Sequence, residues 1–369
     1  MHAAFIHQRI PKESVTGAHA YDALLARELD SVGVCEIMEA GSRKFSAPLS
    51  NLRLWRRLRG KSGKYDLVIF NSSKFLYFLP LALILRLSGV RTAATHHLPI
   101  YKEFRGLKRL IYRLGEAAFL RSVKIVISPS PYISEELKSG YGITPLYIPI
   151  PFSPVQEISA PGISTPEILS PAESDSSPAE RMVNKPGRLL YTATIEPRKG
   201  LLDAVKAMAV MKRHGVECRL DVAGTVRNKK YFEEVKRVIT AEGLEVSFLG
   251  QLSQRELGAL RRKADVFLFP TYGEGYGMAL CEAMQYGLPT VSYDNTSIPY
   301  LIKNNVNGIY VPTGDIDALA EANEKLLSDQ TLRRRIAAGA FRSALALPGI
   351  ADFRRALQQL IVRGSEGSC

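Results

Sequence analysis

Residues 265–294 constrain the chain most: Asp265-Val-Phe-Leu-Phe-Pro270-Thr-Tyr-Gly273-Glu274-Gly275-Tyr276-Gly277-Met278, then on through Glu282 to Gly287-Leu-Pro289-Thr-Val-Ser-Tyr-Asp294. Val266 to Phe269 is a short apolar run of β-branched and aromatic residues, as in a strand buried on both faces. Pro270 stops it. Gly273, Gly275 and Gly277 predict backbone conformations closed to other residues, and Met278 to Tyr286 reads as a helix ended by Gly287 and Pro289. Thr290 to Tyr293 supplies the next strand. In a parallel sheet this order puts the glycine loop at the carboxyl end of a strand and the amino end of a helix, where open α/β sheets bind ligands. Free amides there suit a phosphate.

Two acids complete the stretch. Glu274 sits in the loop and Glu282 eight positions on, a little over two helical turns, so both are expected to look into one cleft. A carboxylate accepts bonds from two vicinal hydroxyls, so a pair bracketing a phosphate-binding helix end suits a nucleotide sugar. Two solvated acids beside a turn are the plainer alternative, because glycine loops are common. Taken together, the spacing, the three glycines, Gly287-x-Pro289 and the flanking strands resemble the nucleotide-sugar signature of retaining glycosyltransferases of family 4. That family has the α/β GT-B fold, two Rossmann-like domains facing each other across a cleft. The resemblance implies that Glu274 bonds the transferred sugar and Glu282 the ribose. It also implies that the backbone around Gly275, Tyr276, Gly277 and Met278 holds the diphosphate.

A chain of 369 residues has room for two domains, and 46% hydrophobic with 23% charged residues is a globular composition. Cys35, Cys218, Cys281 and Cys369 are scattered without metal-ligand spacing, as expected of reduced thiols in a cytosolic protein. The first residues lack the basic leader and apolar core of a secretion signal and read as a strand. The net charge is +13, and residues 1–150 hold 22 Lys and Arg against 11 Asp and Glu, so nearly all the excess lies in the first half. An anionic partner for that half follows: membrane lipid, a phosphorylated acceptor or nucleic acid.

A strand at 3–8 and an amphipathic run from Ala18 to Leu29 make a βαβ opening. In the resembled family the loop between them approaches the donor phosphates, which makes Thr16 and Gly17 candidates; an ordinary strand-to-helix turn is the alternative. Residues 53–64 gather arginines around Trp55 and read either as a helix lying on an anionic bilayer or as a surface helix with solvated arginines. Phe75 to Leu85 is the most apolar part. It is too short for the roughly 20 residues of a membrane span, and Pro80 is expected to interrupt a long helix; it reads as a buried helix. Val90 to Thr95 is a strand delivering His96 and His97 to its carboxyl end. Neighbours on an extended segment point oppositely and no acid or cysteine lies at ligand spacing, so no metal is expected. In the family a histidine here faces the donor hexose. The motif registers on either residue, with His97 preferred. Phe104, Leu107, Leu110, Ile111 and Leu114, flanked by Lys102, Arg105, Lys108, Arg109 and Arg113, predict a second basic amphipathic helix. By the resemblance Ser128 and Ser130 lie where the chain enters the cleft. The family's Asn-Gly-hydrophobic-Asp after this region is absent.

Residues 153–187, rich in Pro, Ser, Glu and Ala, read as a linker or insertion between a basic first domain, 1–152, and a nucleotide-sugar domain, 188–350. A helix in 351–369 is expected to cross back to the first domain, as in the resembled fold. Glu196-Pro-Arg198-Lys199-Gly200 is a turn ahead of a helix, where cations oppose the helix dipole unless they face a bound anion. Lys199 matches the family's diphosphate lysine. Thr194 stands where its arginine is common, leaving Arg198 as the substitute, and Phe248 to Leu252 corresponds to the strand against the nucleobase.

These readings converge on transfer of a hexose from a nucleotide diphosphate sugar to a hydroxyl of a glycan or lipid-linked saccharide, with retention. Catalysis falls to Glu274, His97 and Lys199, and no metal or other cofactor is expected. An anionic membrane surface is the expected further partner and a cytoplasmic, membrane-peripheral location follows; no recognition motif supports nucleic acid. A dehydrogenase would need Gly-x-Gly-x-x-Gly after the first strand, where only Gly17 stands. The alternative is a non-catalytic subunit of the same fold in a glycosylation complex, which Thr194 and the missing motif favour.

Overall fold

The computed structural model describes residues 3–8, 17–31, 35–40, 54–56, 58, 65–71, 75–152 and 187–365. Thr16 and residues 153–186 of the expected linker lie outside them. The chain divides into two units, one of residues 1–151 with 348–369 and one of residues 152–347.

In the first unit β1 (Ala3–Gln8), β2 (Cys35–Ala40), β3 (Leu67–Asn71), β4 (Arg91–Thr95), β5 (Ile125–Ser128) and β6 (Leu146–Tyr147) form a parallel sheet ordered β2-β1-β3-β4-β5-β6. All five residues of β3 are buried, as a strand covered on both faces requires. The order reverses between β1 and β3, so their carboxyl ends border a topological switch point. Helix α1 (Gly17–Ser31) follows β1, and its Tyr21, Leu25 and Leu29 are buried.

Helix α2 (Phe75–Leu87) runs unbroken through Pro80, contrary to the interruption expected there. Proline removes one backbone bond. Burial of Phe75, Phe78, Leu81, Ala82 and Leu85 on one face offsets it. The helix is not buried all round: Leu76, Leu83, Ile84 and Leu87 are exposed. Helix α3 (Gly106–Ser122) packs beside it, with Leu76 and Phe75 against Gly115 where a side chain would collide, and Arg86 donating to the Arg121 carbonyl at 2.7 Å. Helix α4 (Pro131–Tyr141) completes the α/β alternation.

In the second unit β7 (Gly187–Thr192), β8 (Cys218–Ala223), β9 (Glu245–Gly250), β10 (Val266–Phe269), β11 (Thr290–Tyr293) and β12 (Ile309–Val311) form a parallel sheet ordered β12-β11-β10-β7-β8-β9. The helices are α5 (Leu201–Arg213), α6 (Lys229–Glu242), α7 (Gln254–Lys263), α8 (Met278–Gln285), α9 (Ile298–Leu301), α10 (Ile316–Ser328) and α11 (Gln330–Leu345). Side chains alternate across the sheet. Leu189, Tyr191, Val266 and Leu268 pack with α5 and α10, whereas Leu190, Phe267 and Phe269 pack with α8. The expected capping box of Ser253 and Glu256 starts α7. Here the order reverses between β7 and β10, so the turn after one and the glycine loop after the other emerge side by side.

The last helix, α12 (Ile350–Ser365), belongs to the first unit. Phe353 packs edge-on against Tyr21 at 6.1 Å, and Arg354 Nε bonds Glu28 at 2.8 Å.

Candidate active site

The turn 196–200 and the loop 270–277 are fastened backbone to backbone. Tyr272 N–H donates to the Arg198 carbonyl at 2.8 Å, and Arg198 Nη1 donates to the Gly273 carbonyl at 2.7 Å. Gly200 makes this approach possible: its φ is +72°, and a Cβ there would stand 1.8 Å from the Pro270 carbonyl oxygen. Arg198 also pairs with Glu196 at 2.9 Å. Its guanidinium therefore ties turn to loop.

Lys199 forms an ion pair with Glu274, whose Oε1 also accepts from Thr271 Oγ1 at 3.2 Å. Both side chains are largely buried. The Glu274 amide is held as well, donating to Thr296 Oγ1 at 2.9 Å. Tyr272 anchors the loop to α5 through Asp203, which accepts from Tyr272 at 2.5 Å and from Tyr293 at 2.8 Å. Burial and this carboxylate push the Tyr272 phenol up to about 12.

Gly277 takes a left-handed φ of +96°, and a Cβ there would meet Leu301 at 2.8 Å. Gly273 has no such φ, which corrects the expectation of special backbone geometry at that position. As the residue before α8, Gly277 offers no side chain to cap the first-turn amides. Tyr276 is buried with its ring 5.6 Å from Phe152, and Met278, half-buried, opens the helix. Glu282, one turn into α8, pairs with Arg261 of α7. Burial pushes the Glu282 carboxyl above its ordinary range, while the guanidinium draws it down.

In the first unit the two histidines separate clearly. His96 is fully buried, and desolvation, with His97 adding to it, brings its imidazole down to about 3. His97 is partly exposed, and its Nε2 lies 2.9 Å from Asp22 Oδ1. Asp22 is itself buried and accepts from Asn71 Nδ2 through its other oxygen. Asn71 ends β3, His97 follows β4 and Asp22 is on α1 after β1, so all three gather at the switch point of this sheet. Gly17 is the first residue of α1. Ser128 and Ser130 are buried in local bonds: Ser130 caps α4, and Ser128 Oγ donates to the Ser130 carbonyl at 2.9 Å.

The structure therefore brings Arg198, Lys199 and Glu274 together and seats Glu282 on a separate partner. Sequence reasoning missed Thr271, Thr296, Arg261 and Asp22. A signal existed for Asp22, which shares a helix face with buried Leu25 and Leu29. Among the described residues no group of His, Cys, Asp and Glu could hold a metal ion.

Two Rossmann-like units, each with a parallel sheet and its own switch point, make a fold of the GT-B glycosyltransferase class, and comparison with known proteins agrees. The model of the glycosyl transferases group 1 matches residues 174–342, and that of glycosyltransferase family 4 matches residues 17–150. The chain belongs to the group 1 glycosyltransferases of GT-B fold. It is 34% identical over 146 residues to the amylovoran biosynthesis glycosyltransferase AmsK of Erwinia amylovora, covering 37% of this chain and 35% of that one. It is 35% identical over 150 residues to the phosphatidyl-myo-inositol mannosyltransferase of Mycobacterium leprae, covering 39% and 38%. The chain thus spans little more than a third of the length of these relatives. In fold it resembles sucrose-phosphate synthase from Thermosynechococcus elongatus, with a TM-score of 0.75 at 20% identity over 98% of each chain. It also resembles Anabaena HepE in complex with UDP-glucose, with a TM-score of 0.74 at 17% identity over 98% of this chain and 100% of that one.

Proposed function

We propose that this chain transfers a hexosyl group from a nucleoside diphosphate sugar to a hydroxyl of a glycan or lipid-linked saccharide, with retention and without a metal or other cofactor, in glycan biosynthesis. The observation that carries the reading is the meeting of Lys199 and Glu274 beside the α8 amino end, whose N-cap is a glycine without a capping side chain. In this reading Lys199 and the first-turn amides stabilise the charge that develops on the leaving diphosphate, in a site where water is scarce and electrostatics are strong. Glu274 bonds the transferred hexose, Glu282 the ribose, and His97 the hexose by the family resemblance. Uridine donors come first for testing, because the fold neighbour HepE is solved with UDP-glucose.

The test is a transfer assay with a panel of nucleotide sugars and saccharide acceptors. Lys199→Ala is expected to lower kcat by about 10²–10³, the effect of losing one preorganised group on a developing charge. Donor binding without turnover of any acceptor would instead favour the non-catalytic subunit. Neither binding nor turnover would defeat both readings.

The acceptor side of the proposal is a peripheral location on an anionic, cytoplasmic membrane face. Its support is the apolar stripe of α3, which stays uncovered: Leu107 is 72% exposed, and Leu110, Ile111 and Leu114 are exposed with it. Leu87 of the adjoining α2 is 89% exposed. Arg105, Lys108, Arg109 and Arg113 flank the stripe and are exposed too. Each leucine buried in lipid gains about 1.5–3 kcal/mol, and each cation near an anionic surface about 1 kcal/mol. One stretch among the described residues, 330–363, is long and apolar enough to span a membrane, but it comprises two helices separated at 346–349. Co-sedimentation with anionic vesicles at low salt, weakened by Leu107→Glu with Leu114→Glu, is the expected result; no co-sedimentation would remove the membrane from the proposal.

A further inference from the structure

Thr296 holds a left-handed backbone conformation, with φ of +46°. For a β-branched residue this is an outlier, because Cβ and its two substituents crowd the backbone there. Such strain persists only where the surroundings determine it. Here the surroundings are a chain of hydrogen bonds running to Glu274. Thr296 Oγ1 accepts the Glu274 amide at 2.9 Å and donates to Asn295 Oδ1 at 3.0 Å. Asn295 Nδ2 in turn donates to the Thr271 carbonyl at 2.8 Å and to Thr313 Oγ1 at 3.1 Å. Thr271 closes the ring through its own hydroxyl, which bonds Glu274 Oε1 at 3.2 Å. The Glu274 main chain is thus gripped from the segment after β11, while its carboxylate is gripped by Lys199 and Thr271.

We infer that Thr296 is a positioning residue for Glu274: its hydroxyl, aimed by the strained backbone, fixes the loop so that the carboxylate meets the transferred sugar in one orientation. The inference deepens the proposed transfer reaction and rests on it for the role of Glu274. A glycine would take this φ without strain but could not bond the amide. A serine keeps the hydroxyl. The two variants therefore separate the bond from the backbone geometry.

The test compares Thr296→Gly and Thr296→Ser in melting temperature, in exchange of the Glu274 amide followed by NMR, and in steady-state kinetics with the accepted donor. For Thr296→Gly the expected result is a melting temperature within about 2 °C of the parent chain, since relief of strain offsets the lost bond. With it go faster exchange at the Glu274 amide and a kcat reduced about tenfold with donor KM within about threefold, as for an interaction strengthened in the transition state. Thr296→Ser is expected to restore slow exchange and to hold kcat within about twofold. Unchanged exchange in Thr296→Gly, or equal impairment of the serine variant, would overturn the inference. So would full turnover in Thr296→Gly. If the parent chain turns over no donor, the transferase reading fails, and the exchange data alone decide whether Thr296 grips the loop.

Discussion

Asp22 Oδ1 lies 2.9 Å from His97 Nε2, and Asp22 is fully buried at the carboxyl edge of the first sheet. The two neighbouring histidines differ in access: His96 is fully buried and His97 keeps a partly exposed ring. In the proposed reaction this bond orients the His97 ring toward the hexose. Asp22→Asn removes the charge from that bond. A hydrogen bond to a charged group contributes about 1.5–3 kcal/mol, so a fall in kcat of about 10- to 100-fold is expected. His97→Ala is expected to leave little further loss for Asp22→Asn to add, because the two act as one unit. Additive losses would contradict the pairing.

Gly200→Ala tests the junction between the turn and the glycine loop. Alanine at φ of +72° is strained, and its Cβ would stand 1.8 Å from the Pro270 carbonyl oxygen, so one backbone must move. A loss of more than about 3 kcal/mol is expected in urea unfolding, above the range for backbone strain alone. Gly215→Ala is the control. It shares a positive φ of +79° but has nothing within 4 Å of the new Cβ, and it should cost only about 1 kcal/mol.

His96 predicts an acid sensitivity. Its folded-state pKa, lowered to about 3, lies below the 6.5 of an unfolded histidine, so the unfolded chain binds the extra proton between these values. Stability from this group is therefore complete above pH 6.5 and falls as pH drops toward 3. At pH 5 the loss is about 2 kcal/mol. Urea unfolding at pH 7.5 and 5.0 should show this loss in the parent chain and about 2 kcal/mol less of it in His96→Gln. An equal acid loss in both proteins would place the sensitivity elsewhere.

The stretch 265–294 was legible because a strand buried on both faces must be apolar throughout, and a helix that begins and ends sharply must be flanked by glycine and proline. The pairing of Lys199 with Glu274 was not: the partners are 75 residues apart and meet only because β10 lies beside β7. Hydrophobic periodicity locates strands without giving their order. Arg261 was hidden for the same reason, being carried to Glu282 by packing between helices. The α3 stripe was legible as a stripe, yet amphipathic spacing does not say whether protein covers it, and Leu107, Leu110, Ile111 and Leu114 remain exposed. Pro80 shows packing overriding a local rule, and at Thr296 a positive φ coincides with a hydrogen bond to the Glu274 amide.

The central claim, that the second unit binds a nucleotide sugar through the glycine loop and α8, is tested most directly by thermal unfolding against a panel of nucleoside diphosphates and their sugars. A ligand at 100 times its Kd that binds only the folded chain adds about 2.7 kcal/mol, which raises the melting temperature by several degrees. Glu282→Ala leaves buried Arg261 without its carboxylate and should itself cost about 2–3 kcal/mol, less than a fully buried pair because Glu282 is partly exposed. Its response is therefore measured from its own midpoint. A shift with at least one nucleoside diphosphate is expected in the parent chain and none in Glu282→Ala. No shift with any member of the panel, or an undiminished shift in Glu282→Ala, would contradict it.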